Sequence, residues 1–260
     1  MLKQHEEFIQ NLIKKIKDDE RFVGVLAGGS MRTNTMDQFS DLDLILVYDP
    51  TFKTDIMINR LQIVGEFGHL LSGFTGEHVG EPRLLIGLYH GPLHVDFKFV
   101  TIEEIKDGVE KPVVVWQRNS SLEQLLNEIK FSYPSPDLQW IEDRFWVWIH
   151  YGATKLGRGE LFEVISLLSF VREAVIGPLI LMQHNSLPNG VRKIERHAPE
   201  LIEELGKTIA LHEKESCYNA IKHTISLYVN LRRGYESDIQ IKSEAQQVSI
   251  KYLEKVYEEM

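Results

Sequence analysis

Apolar residues recur at helical spacing near the start of the chain. Phe8, Leu12, Ile13 and Ile16 fall on one side of a segment from Lys3 to Lys17, which predicts an amphipathic helix. The period then shortens. Val23, Val25 and Leu26, and later Leu42, Leu44, Ile45, Leu46 and Val47, form brief apolar runs bounded by Gly, Ser and Asp, the pattern of buried strands. A helix is expected near 55–71, then a hairpin over 84–100 that turns at Gly91-Pro92. Its second strand alternates Leu93, Val95, Phe97 and Phe99 with His94, Asp96 and Lys98. A strand over 113–116 and a helix over 122–129 complete this half. Pro134 and Pro136 then lead to Asp137, a helix N-cap residue, and mark a boundary.

Beyond the boundary the period settles near 3.6. Ile141, Phe145, Trp148, Ile149, Gly152 and Leu156 form one stripe, with Tyr151, Lys155 and Arg158 on an adjacent one. Helices are expected near 138–157, 160–182, 191–213, 215–234 and 242–258. The fold class that follows is α+β: a small mixed sheet over 1–133, then a helical bundle over 134–260 that closes a substrate cleft.

The candidate chemistry lies in the stretch from Gly28 to Asp49. Gly28-Gly29-Ser30 joins two strands, where backbone N–H groups can approach an anion. Eleven residues after Ser30 comes Asp41, and Asp43 follows two further on. Residues two apart on a strand share a face, so both carboxylates point away from the Leu42/Leu44 side. Like charges held that close repel unless a cation lies between them, and an all-oxygen ligand set completed by phosphate suits Mg²⁺. Asp96, on the polar side of its strand, would be the third acid if its strand neighbours that of Asp43.

These residues resemble the DNA polymerase β-like nucleotidyltransferase superfamily. Gly29-Ser30, then Ser40-Asp41-Leu42-Asp43, then Asp96 on a later strand correspond to its Gly-Ser, Asp-x-Asp and third carboxylate. Many members carry a small residue, a basic residue and glycine where Arg32, Thr33 and Asn34 stand here, so a glycine is replaced by Asn34 and the basic residue is displaced by one place. The segment from Lys155 to Leu161, KLGRGEL, and the apolar helix after it resemble the helical half of bacterial aminoglycoside and lincosamide nucleotidyltransferases.

The resemblance implies transfer of a nucleoside monophosphate, AMP from ATP, to a hydroxyl of a small acceptor, with pyrophosphate released. It implies Asp41, Asp43 and Asp96 as catalytic and metal-ligating residues for two Mg²⁺ ions roughly 3.5–4 Å apart. Asp96 would serve as ligand, as general base, or as both. Gly29, Ser30, Arg32, Ser40, Lys155 and Arg158 are the implied nucleotide-binding residues. Alternatives of the same chemistry are a protein or RNA acceptor; a non-catalytic nucleotide-binding module is a third reading.

Composition narrows the acceptor. The net charge of −9 does not provide the basic stripe that a nucleic-acid polymerase uses to neutralise phosphates, and it favours cationic partners such as an aminoglycoside. The single cysteine, Cys217, excludes an internal disulfide and a cysteine zinc cluster, and is expected to be a packing residue. Lys3, Gln4, His5 and Glu6 follow Met1 at once, and no uninterrupted apolar run of 18 residues occurs, so a cytoplasmic protein without a membrane segment is expected. His90 and His94 are expected at the turn surface, and Glu66, Glu77 and Glu81 in solvent.

Overall fold

The computed structural model describes residues 2–260 and divides them into two compact units, the first ending at Ser132 and the second running from Tyr133 to Met260. The first unit begins with α1 (Lys3–Asp18), β1 (Phe22–Ala27), the single turn α2 (Gly29–Arg32), β2 (Leu42–Tyr48) and α3 (Lys53–Gly65). It continues with β3 (Leu70–Gly76), β4 (Glu81–Tyr89), β5 (Leu93–Thr101), β6 (Val113–Gln117) and α4 (Ser121–Glu128). The six strands form one mixed sheet in the order β3-β4-β5-β2-β1-β6, with β2 and β5 parallel and the other pairs antiparallel.

One sheet face carries the main core. Phe8 and Leu12 of α1 and Ile56 and Val64 of α3 pack there on Leu42, Leu44, Leu85, Val95 and Phe97. The phenol of Tyr89 donates to the Val64 carbonyl at 2.8 Å, which pins the end of α3 to β4. On the other face a smaller cluster of Leu26, Val47, Val100, Ile105, Leu122 and Leu126 covers one end of the central strands. Arg118 donates to the Asp19 carbonyl at 2.9 Å and to the Phe22 carbonyl at 3.0 Å, which ties the chain after β6 to the end of α1.

In the second unit α5 (Leu138–Gly157) is followed by a continuous helix from Leu161 to Gln183. That helix comprises α6 (Leu161–Val171), a π-helical turn over Arg172–Ile176 and α7 (Gly177–Gln183). Two short helices, α8 (Ile194–His197) and α9 (Ile202–Gly206), lead to α10 (Lys214–Arg232) and α11 (Ser243–Glu258). The helix over Leu161–Gln183 is long and apolar enough to cross a membrane by length and composition, although Glu163, Arg172 and Glu173 interrupt it. Here Val164, Leu168, Val171, Val175 and Ile180 lie in the core of the bundle. Cys217 is fully buried in the same core.

A buried carboxylate fixes the register of this bundle. Glu142, with no exposed surface, accepts from Trp146 Nε1 at 3.1 Å, the Tyr228 phenol at 2.6 Å, Arg232 Nη1 at 3.0 Å and the Lys242 backbone N–H at 2.9 Å. Trp146 is therefore a core residue, whereas Trp140 and Trp148 meet edge to face nearer the surface, with centroids 5.6 Å apart.

The α+β arrangement expected from the sequence is the one observed, with three local differences. The helix expected near 55–71 stops at Gly65, and Leu70 and Leu71 open β3, an edge strand with little buried surface and so little apolar alternation to announce it. Strand β4 starts at Glu81 rather than at residue 84. The helix expected over 191–213 is broken, because Lys193 takes a left-handed φ of 58° and Pro199 cannot donate inside a helix.

Candidate active site

The local backbone of the Gly-Ser turn follows from its sequence. Gly28 donates its N–H to the Asp43 carbonyl at 2.8 Å, which extends the β1–β2 pairing by one residue and sets the turn against β2. Gly29 has φ 50°, and a β-carbon there would collide with the Asp43 carboxylate, so only glycine lets the turn approach so closely. The chain then forms the single turn α2. Asn34, where many members of the superfamily have glycine, takes the left-handed φ of 53° that asparagine tolerates best among residues with a side chain.

The carboxylates come next. Asp41 stands immediately before β2 and Asp43 is its second residue; both are half-buried, while Leu42 and Leu44 between and after them are buried on the core face. In the parallel pairing of β2 with β5, Asp43 is directly opposite Asp96, flanked by Leu42 opposite Val95 and Leu44 opposite Phe97. Asp43 and Asp96 thus lie side by side on the open face, one strand spacing of about 4.8 Å apart.

The sequence-derived residues divide between the units. Asp41, Asp43, Asp96, Gly29, Ser30, Arg32 and Ser40 belong to the first. The hydroxyl of Ser30 is buried and has no hydrogen-bond partner, which is costly in a finished core. Ser40 closes its own loop, accepting from the Asp37 N–H at 2.9 Å and donating to Asp37 Oδ1 at 3.1 Å. Arg32 is ion-paired with Glu110, in the segment before β6, and its Nε is buried without a partner.

Lys155 and Arg158 belong to the second unit, at the end of α5. Lys155 pairs with Glu160 and stands 5.2 Å from the Tyr151 ring. The hydrogen bond it donates to Glu160 raises the Lys155 ammonium above its ordinary pKa, so it stays charged. Arg158 is mostly exposed and 3.9 Å from Glu160.

Two contacts went unread in the sequence. His94 Nε2 is 2.7 Å from Asp96 Oδ1, so His94 is more than a turn residue; its place two before Asp96 on one strand face was the available signal. Glu81, expected in solvent, is held by Arg83 Nε at 2.9 Å and Lys98 Nζ at 2.8 Å, and the bond from Arg83 foremost lowers its carboxyl to about 2.

Among the described residues no three His, Cys, Asp or Glu side chains converge as a ready-made metal cluster. The donor set nonetheless fits a hard divalent cation whose shell is completed by substrate. Such ions take one or two carboxylates from the protein and the rest of their oxygens from phosphate and water.

Residues 9–115 match the family model of the nucleotidyltransferase domain, a span that takes in the Gly-Ser turn and all three aspartates. No curated protein matches the chain. Among solved structures, it is similar to an aminoglycoside 6-adenyltransferase from Bacillus subtilis at 16% identity and TM-score 0.43, over 97% of this chain and 98% of that one. A nucleotidyltransferase-like protein from Exiguobacterium sibiricum aligns at 12% identity and TM-score 0.38, over 87% and 75% of the two chains. A STING-associated c-di-GMP synthase from Capnocytophaga granulosa aligns at 13% identity and TM-score 0.29, over 88% and 83%. At these identities and scores none of the three bears on what this chain acts upon. Residues 9–115, which carry Asp41, Asp43 and Asp96, are therefore a nucleotidyltransferase domain of the DNA polymerase β-like kind.

Proposed function

We propose that the enzyme transfers a nucleoside monophosphate, AMP from ATP, to a hydroxyl of a small molecule, with an aminoglycoside- or lincosamide-type antibiotic as the acceptor class. The observation that carries this reading is the register that sets Asp43 opposite Asp96 beside the Gly28–Ser30 turn. A carboxylate pair on an open face next to an unpartnered buried hydroxyl is suited to an anionic, metal-bound substrate and has no role in packing.

In this reading the backbone of Gly29 and the hydroxyl of Ser30 orient the triphosphate. Asp41, Asp43 and Asp96 would hold Mg²⁺, which when bound neutralises phosphate charge and lowers the pKa of the acceptor hydroxyl. The acceptor oxygen forms a bond to the α-phosphorus as the bond from that phosphorus to the bridging oxygen of the β-phosphate breaks, and pyrophosphate leaves. Asp96 takes the hydroxyl proton. Transfer to this carboxylate is effective because the proton leaves late, after the new bond has begun to form.

The test is pyrophosphate release from Mg-ATP, with GTP, CTP and UTP in parallel, over a panel of aminoglycosides, lincosamides and uncharged glycosides, with Asp41→Asn as the blank. Acceptor-dependent release absent from the blank is the expected result. Calorimetric binding of Mg-ATP with no release for any acceptor would overturn the small-molecule reading in favour of a macromolecular acceptor or a binding module.

A further inference from the structure

The row of residues that contains Asp43 and Asp96 continues across the sheet. Asp96 is opposite Ile86 on β4, and Ile86 is opposite Phe74 on β3, so Asp43, Asp96, Ile86 and Phe74 occupy one line over four adjacent strands. The next row sets His94 opposite Leu88. Register partners share a face, and the opposite face is identified by Leu85 and Phe97, both buried. Ile86, Leu88 and Phe74 therefore project on the carboxylate side.

They form an uncovered apolar shelf. Phe74 is 52% and Leu88 44% exposed, and Ile86 is half-buried between them. At the usual strand spacing Ile86 is about 5 Å and Phe74 about 10 Å from Asp96, within the span of one drug-sized molecule. The opposite flank of Asp43 is the Gly28 turn, so the line runs from the phosphate end through the carboxylates to the shelf. An acceptor hydroxyl must reach Asp96 from the side away from the triphosphate, and the shelf occupies that side.

Charge decides what kind of acceptor fits. A polycation needs unpaired carboxylates, and the acids that border the shelf are already matched. Glu81 is held by Arg83 and Lys98, and Glu77 is 4.0 Å from Arg60. We infer that the acceptor is an amphipathic molecule that sets an apolar group on Ile86, Leu88 and Phe74 and presents a hydroxyl to Asp96, and that Phe74 and Leu88 determine this specificity. The inference rests on the nucleotidyl-transfer reading for the role of Asp96, but the binding surface itself can be tested without turnover.

Two arms separate the two claims. In the binding arm, octyl β-D-glucoside below its micelle concentration is titrated into ¹⁵N-labelled protein. Saturable shifts at Phe74, Ile86 and Leu88, weakened about tenfold in Phe74→Ser and in Leu88→Ser, are expected from the loss of one apolar contact. Both positions are exposed, so neither variant should lose its fold, and melting temperatures check this. In the turnover arm, lincomycin and alkyl glycosides are compared with kanamycin. Phe74→Ser should raise the KM for the amphipathic acceptor about tenfold while the KM for Mg-ATP and kcat stay within about twofold. Shelf binding without pyrophosphate release from any acceptor would leave the shelf and overturn the transferase reading. Absence of saturable binding, or efficient use of kanamycin with a KM indifferent to Phe74→Ser, would overturn the shelf.

Discussion

Asp43 and Asp96 stand directly opposite each other on the parallel strands β2 and β5, the helix, edge strand and hairpin between them having no part in their pairing beyond returning the chain to the same sheet. Like charges opposed across a strand pair destabilise a sheet by about 0.2–1 kcal/mol. In metal-free buffer at neutral pH and low salt, Asp96→Asn should therefore melt at or a few degrees above the wild type. Added Mg²⁺ should raise the wild-type melting temperature and leave the variant unmoved, while turnover in the variant falls by about 10²-fold or more. Thermal melts with and without MgCl₂ check this, and an equal Mg²⁺ shift in both proteins would remove Asp96 from the metal site.

Gly29 separates two costs that usually travel together. A side chain there meets both an unfavourable positive φ and the Asp43 carboxylate, whereas at Gly80, with φ 73°, a β-carbon meets nothing within 4 Å. Gly80→Ala should lose about 1 kcal/mol of stability from the backbone alone and keep full activity. Gly29→Ala should lose a similar or larger amount and about 10²-fold or more in kcat, because Asp43 must move. Denaturant melts together with steady-state rates decide the matter. Comparable activity in the two variants would mean that the position of the Asp43 carboxylate is not critical.

The parts of the site legible in the sequence are those carried by local spacing. Gly29-Ser30 and Asp41-Leu42-Asp43 share one turn and one strand, so their faces follow from the two-residue period alone. That β5 neighbours β2 in parallel does not follow from either strand's pattern, since pairing is a property of the whole sheet. The register opposing Asp43 to Asp96 had to be observed. Strand β3 was illegible for a related reason: as an edge strand it buries little, so Ser72, Gly73 and Thr75 give no alternation to read. The shelf did leave a trace. Leu84-Leu85-Ile86 is apolar on both faces, a pattern more common in strands covered on both sides, yet here one face stays open. Glu142 was hidden because nothing in a helical stripe distinguishes a solvated glutamate from one whose partners come from α10 and the start of α11.

Glu142 makes the stability of the helical unit depend on pH. Burial pushes its carboxyl upward, but the hydrogen bonds from Tyr228, the Lys242 N–H, Trp146 and Arg232 outweigh burial and hold it below the ordinary glutamate value. A carboxyl with a depressed folded-state pKa contributes stability that is complete above the unfolded-state value near 4.5 and is lost as pH falls through the folded-state value. Wild-type protein should accordingly lose stability as pH drops below about 4.5, with Trp146 reporting on the surrounding core. Glu142→Gln keeps the shape but leaves the Arg232 guanidinium without its carboxylate, at a cost of about 3–5 kcal/mol at neutral pH. The variant should be much less stable at pH 7 and comparatively insensitive between pH 5 and the acid range, since the titrating group is gone. Denaturant titrations followed by tryptophan fluorescence at several pH values measure both effects. Parallel pH profiles for the two proteins would show that other carboxylates govern acid unfolding, with Glu81, held near 2 chiefly by Arg83, the next to examine.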